Sequence, residues 1–432
     1  MQNLKPYNPL SNEKGVTIVL VAILMVVLVM FVALAVDLGH LYVARNELQN
    51  AADAGALAGA RVLYIDGNTT IVNEGANQEA HDAAVANQSE NMDVEVYWTA
   101  GNTGDVQRGH WSFADGGVFT PNPSLAAVNL VGVSTAELDA NTDFINAVQV
   151  TARRQNQPVA SFFATIFGFD SFIMEARATG YIGFAGTLRP GDVDQPIAIC
   201  EDSILNADNE YDCSIGRMIN SGQNVDNNES GGWTSLEQDG ACTGGTNAQE
   251  VRGLVTCSGS SPHPSVNLGE PIATTGGQVE SAFQKLYDCW KANTDGTVPW
   301  EMFLPVVTCD GNNITTCQEL VGAVHLQVLW INDAVNVNNP KLEDVPVSMD
   351  ATTLDGKIIS WTRPAGETDP LKIWQNFAQK FNLQNVVQSD NPFAPFQQKA
   401  IYFLPSCEVH AQKGLTGGKN FGILAEVPVL VD

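Results

Sequence analysis

Near its start the chain carries a block of apolar positions that no charged residue interrupts. Val16 to Val36 is 21 residues long, carries no charge, and stops at Asp37. As a helix it spans about 31 Å, enough to cross a hydrocarbon core of about 30 Å. The next strong break is the turn sequence Asp66-Gly67-Asn68. One helix is therefore predicted over 15–64, with 15–36 in a membrane and 37–64 beyond it. Leu34, Leu41, Leu48, Gly55 and Val62 recur at heptad spacing and give the extension a seam. Ala51, Gly55 and Gly59 form a small-residue path along which another backbone can approach closely. A heptad-like stripe of this length suits packing on the chain's own next domain as well as on a partner. A cleavable signal has a shorter apolar core, about 7–15 residues, so the segment reads as retained. Lys14-Gly15 precedes the run as in a prepilin, but the fifth residue after that point is Leu20 rather than the Glu that pilin processing usually leaves.

Downstream the pattern changes period. Glu74 to Ser89 is alanine-rich and predicts a second helix. Val94 to Trp98 alternates as a strand, 109–120 reads as a hairpin turning near Gly116-Gly117, and 146–154 reads as a strand. Pro158 to Gly168 predicts a short apolar helix, and Phe172 to Phe184 a long strand. These elements make an α+β domain over 65–189. Pro190-Gly191 marks a boundary. From 190 to 432, short strand-like runs (Pro196 to Ile199, Val306-Val307, Val324 to Ile331, Lys357 to Trp361, Ile423 to Val429) are separated by long polar loops. A helix is predicted over Gly276 to Ala292, opened by Thr274 or Thr275. The fold class expected is α+β: a long N-terminal transmembrane helix running into an α+β domain, then a mostly β second domain.

Charge narrows the function. The net charge is −27, with only 21 Lys and Arg among 432 residues, so a phosphate backbone is repelled and nucleic acid is not an expected partner. Cysteine placement decides topology, because the basic residues Lys5 and Lys14 before the span are matched by Arg45 and Arg61 after it. Cys200, Cys213, Cys242, Cys257, Cys289, Cys309, Cys317 and Cys407 all lie after the first 199 residues, and no C-x-x-C occurs. An even number at wide spacing fits structural disulfides in an oxidising compartment. This places residues 1–14 in the cytoplasm as a short tail and the bulk outside. Nearest-neighbour pairs, Cys200–Cys213, Cys242–Cys257 and Cys309–Cys317, are taken as guesses at a connectivity that sequence leaves open.

Candidate chemistry is sparse. Asp208 to Asp212 and Asp226 to Glu229 are oxygen-rich but lack calcium-loop spacing, and read as solvated acidic loops. Cys407 and His410 sit three apart, yet a disulfide outweighs a nucleophilic thiol there. The six histidines include no H-x-x-x-H pair, and His325 alternates with apolar residues in a strand. With no G-x-S-x-G, P-loop or G-x-G-x-x-G, no catalytic, cofactor or metal residue is assigned. Asp37 is singled out: it either ends the span at the interface or pairs with a basic group on a partner helix.

The run from Gly15 to Val36, then Ala35-Val36-Asp37-Leu38-Gly39-His40-Leu41-Tyr42 and Glu47 to Ala60, resembles the TadG-like family of the Tad (Flp) pilus-assembly system. Val148 to Arg153, Phe162 to Gly168 and Glu175 to Gly180 extend that resemblance. It implies a non-enzymatic, bitopic protein of the bacterial inner membrane with its bulk in the periplasm or at the cell surface. The implied partners are other pilus-assembly proteins, met through the N-terminal helix; a homo-oligomer is also compatible. The metal site of von Willebrand A relatives needs Asp-x-Ser-x-Ser, and Asp202-Ser203 lacks that spacing. The alternative reading is a minor pilin-like subunit or surface adhesin with a Cys-rich binding domain.

Overall fold

The computed structural model describes residues 13–64, 71–220, 231–238, 246–276, 279–309, 314–352, 358–384, 393–406 and 412–431. The first half contains α1 (Glu13–Arg61), α2 (Ala76–Val85), the short strands β1 (Gln88–Ser89) and β2 (Met92–Asp93), β3 (Val106–Ser112), β4 (Val118–Pro121), α3 (Thr135–Ala140), β5 (Ala147–Ala160), β6 (Ser171–Tyr181) and β7 (Phe184–Ala185). The second half contains β8 (Ile197–Cys200), β9 (Arg217–Asn220), β10 (Gly231–Thr234), α4 (Ala248–Leu254), β11 (Pro271–Thr275), α5 (Glu280–Thr294), β12 (Trp300–Val307), β13 (Cys317–Asn332), β14 (Ser348–Thr352), β15 (Ile358–Thr362), α6 (Pro370–Lys380), β16 (Ala400–Pro405), β17 (Thr416–Gly418) and β18 (Val429–Leu430). The α+β class is borne out.

The helix α1 is one element with two surfaces. From Val16 to Val36 its apolar side chains are open to the surroundings, and this part is long and apolar enough to cross a membrane. From Ala44 onward one face is buried: Ala44, Leu48, Ala51, Ala52, Ala56 and Ala60 are fully covered. They pack on α2 and on a five-stranded sheet of order β18-β6-β5-β3-β4. All pairings in that sheet are antiparallel.

A seven-stranded sheet of order β11-β10-β8-β12-β13-β16-β9 forms the second half. β11 also pairs with the start of β13, which closes β11, β10, β8, β12 and β13 into a ring. Both faces of β8 are covered, and this is why its sequence is a continuous apolar run rather than an alternation. Ile197 and Ile199 join the larger core with α5, while Ala198 and Cys200 face a smaller core with Phe303 and Leu320. Helix α5 lays Ala282, Phe283, Leu286, Cys289 and Trp290 on the larger core. Helix α6, absent from the sequence reading, starts with Asp369 accepting from the Leu371 N–H and Pro370 in the first turn, and buries Ile373, Trp374, Phe377 and Ala378.

Several expectations are corrected. The segment 158–168 is not a helix: β5 continues through Pro158 to Ala160, and only a 3-10 turn, Ala164–Phe167, follows. The strand expected at Val94 to Trp98 reduces to one bridge, Glu95 to Arg153. Helix α5 begins after Val279, so neither Thr274 nor Thr275 caps it; both lie in β11. The second half does not keep to itself either. β17 pairs with β7, and β18 pairs with β6 as an edge of the first sheet. Leu424 and Ala425 enter the first core, and the Asn420 amide donates to the Leu130 and Val133 carbonyls.

Two disulfides join described cysteines: Cys200–Cys309 and Cys257–Cys289. The nearest-neighbour guesses for Cys200, Cys257 and Cys309 are therefore wrong. The physical reason is topological: β8 and β12 are parallel neighbours, so Cys200 lies opposite Val307 and close to Cys309. Cys213 is also disulfide-bonded. Cys317 is half-buried at the start of β13. Cys242 and Cys407 lie outside the described residues, as do His410, the loop Asp226 to Glu229 and the Asp66-Gly67-Asn68 turn.

Candidate functional site: the junction of the long helix and the first sheet

The small-residue path of α1 is filled from within the chain. A Cβ on Gly55 would lie 2.7 Å from the Ala80 carbonyl oxygen and 2.9 Å from the Ala84 Cβ. One on Gly59 would lie 2.7 Å from the Ala80 Cβ and 2.9 Å from a Val148 methyl. From the facing strand, a Cβ on Gly180 would sit 2.4 Å from the Ala56 carbonyl oxygen. Glycine on the helix and glycine on the sheet together allow this approach, and Ala51 is fully buried beside them. Gly55 and Gly59 of the expected stripe thus both meet α2 and β5.

A polar network locks the same junction nearer the apolar run. The β1–β2 turn places Glu90 and Asn91 at φ 53° and 59°, the left-handed pair of a tight hairpin. Glutamate is uncommon in that conformation, and contacts from α1 hold it. The Glu90 N–H donates to the Glu47 carboxylate at 2.7 Å, the Glu90 carboxylate pairs with His40, and the Ser89 hydroxyl donates to the Ala44 carbonyl. Buried Arg154 reaches Glu90 at 3.8 Å and donates to the Ser89 carbonyl at 2.6 Å. The sequence reading missed this network, because Glu90 carries no motif and its role depends on the turn.

Asp37 does more than end the apolar run: it is tied to the chain's own first sheet. It is buried, and its carboxylate accepts from the Ser161 hydroxyl at 3.0 Å and from three successive backbone N–H groups, Phe162, Phe163 and Ala164. Those donors belong to the turn between β5 and β6. Burial acts to raise the carboxyl pKa, but the four hydrogen bonds outweigh it and hold the group below its ordinary value of 3.8. The sign for stability follows. A depressed carboxylate contributes above the ordinary value and loses that contribution as pH falls through the folded value. The tether is therefore intact at neutral pH and released only in strong acid. Asp37→Ala is expected to speed amide hydrogen exchange at Phe162, Phe163 and Ala164 at pH 7, with the β5–β6 ladder still protected. Unchanged exchange at those three amides would show that the turn holds itself.

The oxygen-rich loop at 208–212 is satisfied internally. The Asn206 side chain accepts from the Asp208 and Glu210 N–H groups and donates to the Glu210 carboxylate. Among the described residues no group of three His, Cys, Asp or Glu is placed to hold a metal. His325 lies on β13, 3.8 Å from Glu301 of the paired strand β12.

Two family profiles match this region. The Tad profile, described as "Putative Flp pilus-assembly TadE/G-like", covers residues 15–62, which is α1 with its apolar and buried halves. The Tad_C profile, described as a Tad-like Flp pilus-assembly family, covers residues 58–179, from the end of α1 through β6. Residues 15–179 thus match the TadE/G-like Flp pilus-assembly family. The two profiles meet at the helix–sheet junction, so the matched region is one packed unit. Residues after 179 lie outside both profiles. No curated protein and no solved structure matches the chain.

Proposed function

We propose that this TadG-like protein is a non-enzymatic, membrane-anchored component of Flp pilus assembly, with its N-terminus in the cytoplasm and its folded mass in the periplasm or at the cell surface. The observation that carries the reading is the division of α1. Its first part has uncovered apolar side chains and its second part is built into a folded domain, without a break between them. Such a helix holds the domain at a fixed height above a bilayer. The disulfides Cys200–Cys309 and Cys257–Cys289 support an oxidising compartment for that domain.

The anchor is tested at Leu24. Arginine there is expected to cost about 2.5–3.5 kcal/mol of insertion and to shift protein out of the carbonate-resistant membrane fraction. Undiminished membrane integration of Leu24→Arg would count against a true span. Co-purification from native membranes then separates the reading from the pilin-like alternative. An assembly component travels with the secretion platform and keeps Met1, whereas a filament subunit is found in sheared fibres.

A further inference from the structure

The turn between β5 and β6 gathers several exposed apolar side chains outside the span. Phe162 to Phe169 contains no charged residue. Phe162 is 60% exposed, Ile166 77%, Phe167 66% and Phe169 58%, and Ile173 on the adjoining strand is 68% exposed. Burying such groups is favourable, and a folded domain that displays them together marks a contact surface.

The position of this turn identifies what covers it. The hairpin runs alongside α1 toward the apolar run. Gly180 lies against Ala56, the Gln49 amide donates to the Arg177 carbonyl, and Asp37 holds Ser161 to Ala164. The lengths agree: the helix covers about 28 Å between Ala56 and Asp37, and the strand about 30 Å between Gly180 and Ser171. The Phe162 ring also lies 4.7 Å from the His40 ring, one turn beyond Asp37. The apolar tip, with exposed Asp170 at its base beside Ser161, is thus fixed at the level where the span ends.

We propose that the β5–β6 tip is a second membrane contact, with Phe162, Phe163, Ile166, Phe167 and Phe169 seated among the headgroups and upper acyl chains of the leaflet that α1 leaves. This rests on the span reading above. The occupant is lipid rather than a protein groove because Asp37, the residue that ends the span, itself holds the tip, and a bitopic helix brings its own bilayer to that level. An apolar surface of this kind sits about 5–10 Å into the interface. With no basic residue in the tip, the contact does not depend on anionic lipid. Two points of attachment fix the tilt of the domain, which a lone helix leaves free to swivel.

The test uses the full chain in phosphatidylcholine nanodiscs, with and without acyl chains brominated near the headgroup. Three variants each add one tryptophan: Phe167→Trp at the tip, Phe31→Trp in the span, and Val118→Trp on β4 as an exposed site away from α1. The emission each adds over the unsubstituted protein is compared. The expected result is that Phe167→Trp and Phe31→Trp are blue-shifted and quenched by brominated lipid, whereas Val118→Trp is neither. Quenching of Phe31→Trp without Phe167→Trp would overturn the tip contact and leave the span standing, as it would if the tip instead faces a protein partner. Quenching of neither would overturn the span and the tip contact with it. Phe167 is exposed, so its substitution leaves the core untouched.

Discussion

Serine in place of both Cys200 and Cys309 is expected to lower the stability of the seven-stranded half by about 4 kcal/mol. The two residues are 109 apart in sequence, and closing so long a loop removes much of the unfolded chain's freedom. The native state gains little from the bond beyond what packing supplies, because β8 and β12 are already neighbours. The double variant should therefore keep its fold and unfold at lower denaturant. Cys257–Cys289 closes a loop of 32, for which the same reasoning gives a smaller effect, about 3–4 kcal/mol. The measurement is urea unfolding of detergent-solubilised protein, followed by the fluorescence of buried Trp233, Trp290 and Trp374. An unchanged midpoint for the Cys200/Cys309 pair would mean that the disulfide contributes nothing to holding the ring closed. Mass spectrometry of alkylated, unreduced protein checks the pairing itself.

Gly59→Leu is expected to destabilise the first domain by about 3 kcal/mol, near the upper end for overpacking. The added Cβ alone comes within 3 Å of Ala80 and Val148, before the leucine's three further carbons are placed. Helix α2 and strand β5 must separate from α1 for it to fit. Of the two readings of the stripe, this is the outcome of packing on the chain's own domain; packing on a partner would weaken association and spare the folded domain. Gly39 is the control, since a Cβ there meets nothing within 4 Å. Limited proteolysis of membranes carrying each variant distinguishes the two. Rapid cleavage of Gly59→Leu within 71–181, with Gly39→Ala resistant, is the expected pattern. A resistant, fully folded Gly59→Leu would show that the stripe is roomy.

The parts of the fold legible in the sequence were those whose signal is local. The apolar run of α1 has only one solution at its length, and strands such as Val324 to Ile331 read directly from their residue types. Segments whose conformation depends on a distant neighbour did not read correctly. Pro158 to Phe167 looks helical by composition, but Pro158 and Val159 extend β5 because Phe172 lies across from Val159. Helix α6 shows only four buried side chains along a short element, a pattern too brief to stand out among loops. At the junction, Asp37, Gly55 and Gly59 were visible as unusual residues. What each of them touches was not, since Ser161, Ala80 and Val148 come from elements brought there by the sheet.

The return of the last residues to the first sheet sets an order on assembly. A chain made from its N-terminus delivers α2 and strands β3 to β6 early. The sheet they form still lacks the edge made when Val429 meets Tyr181, and its core lacks Leu424 and Ala425. Those pieces appear only after the whole disulfide-bonded part has been made. The domain that packs on α1 is therefore the first to appear and the last to be finished, and its completion certifies that everything between has been made.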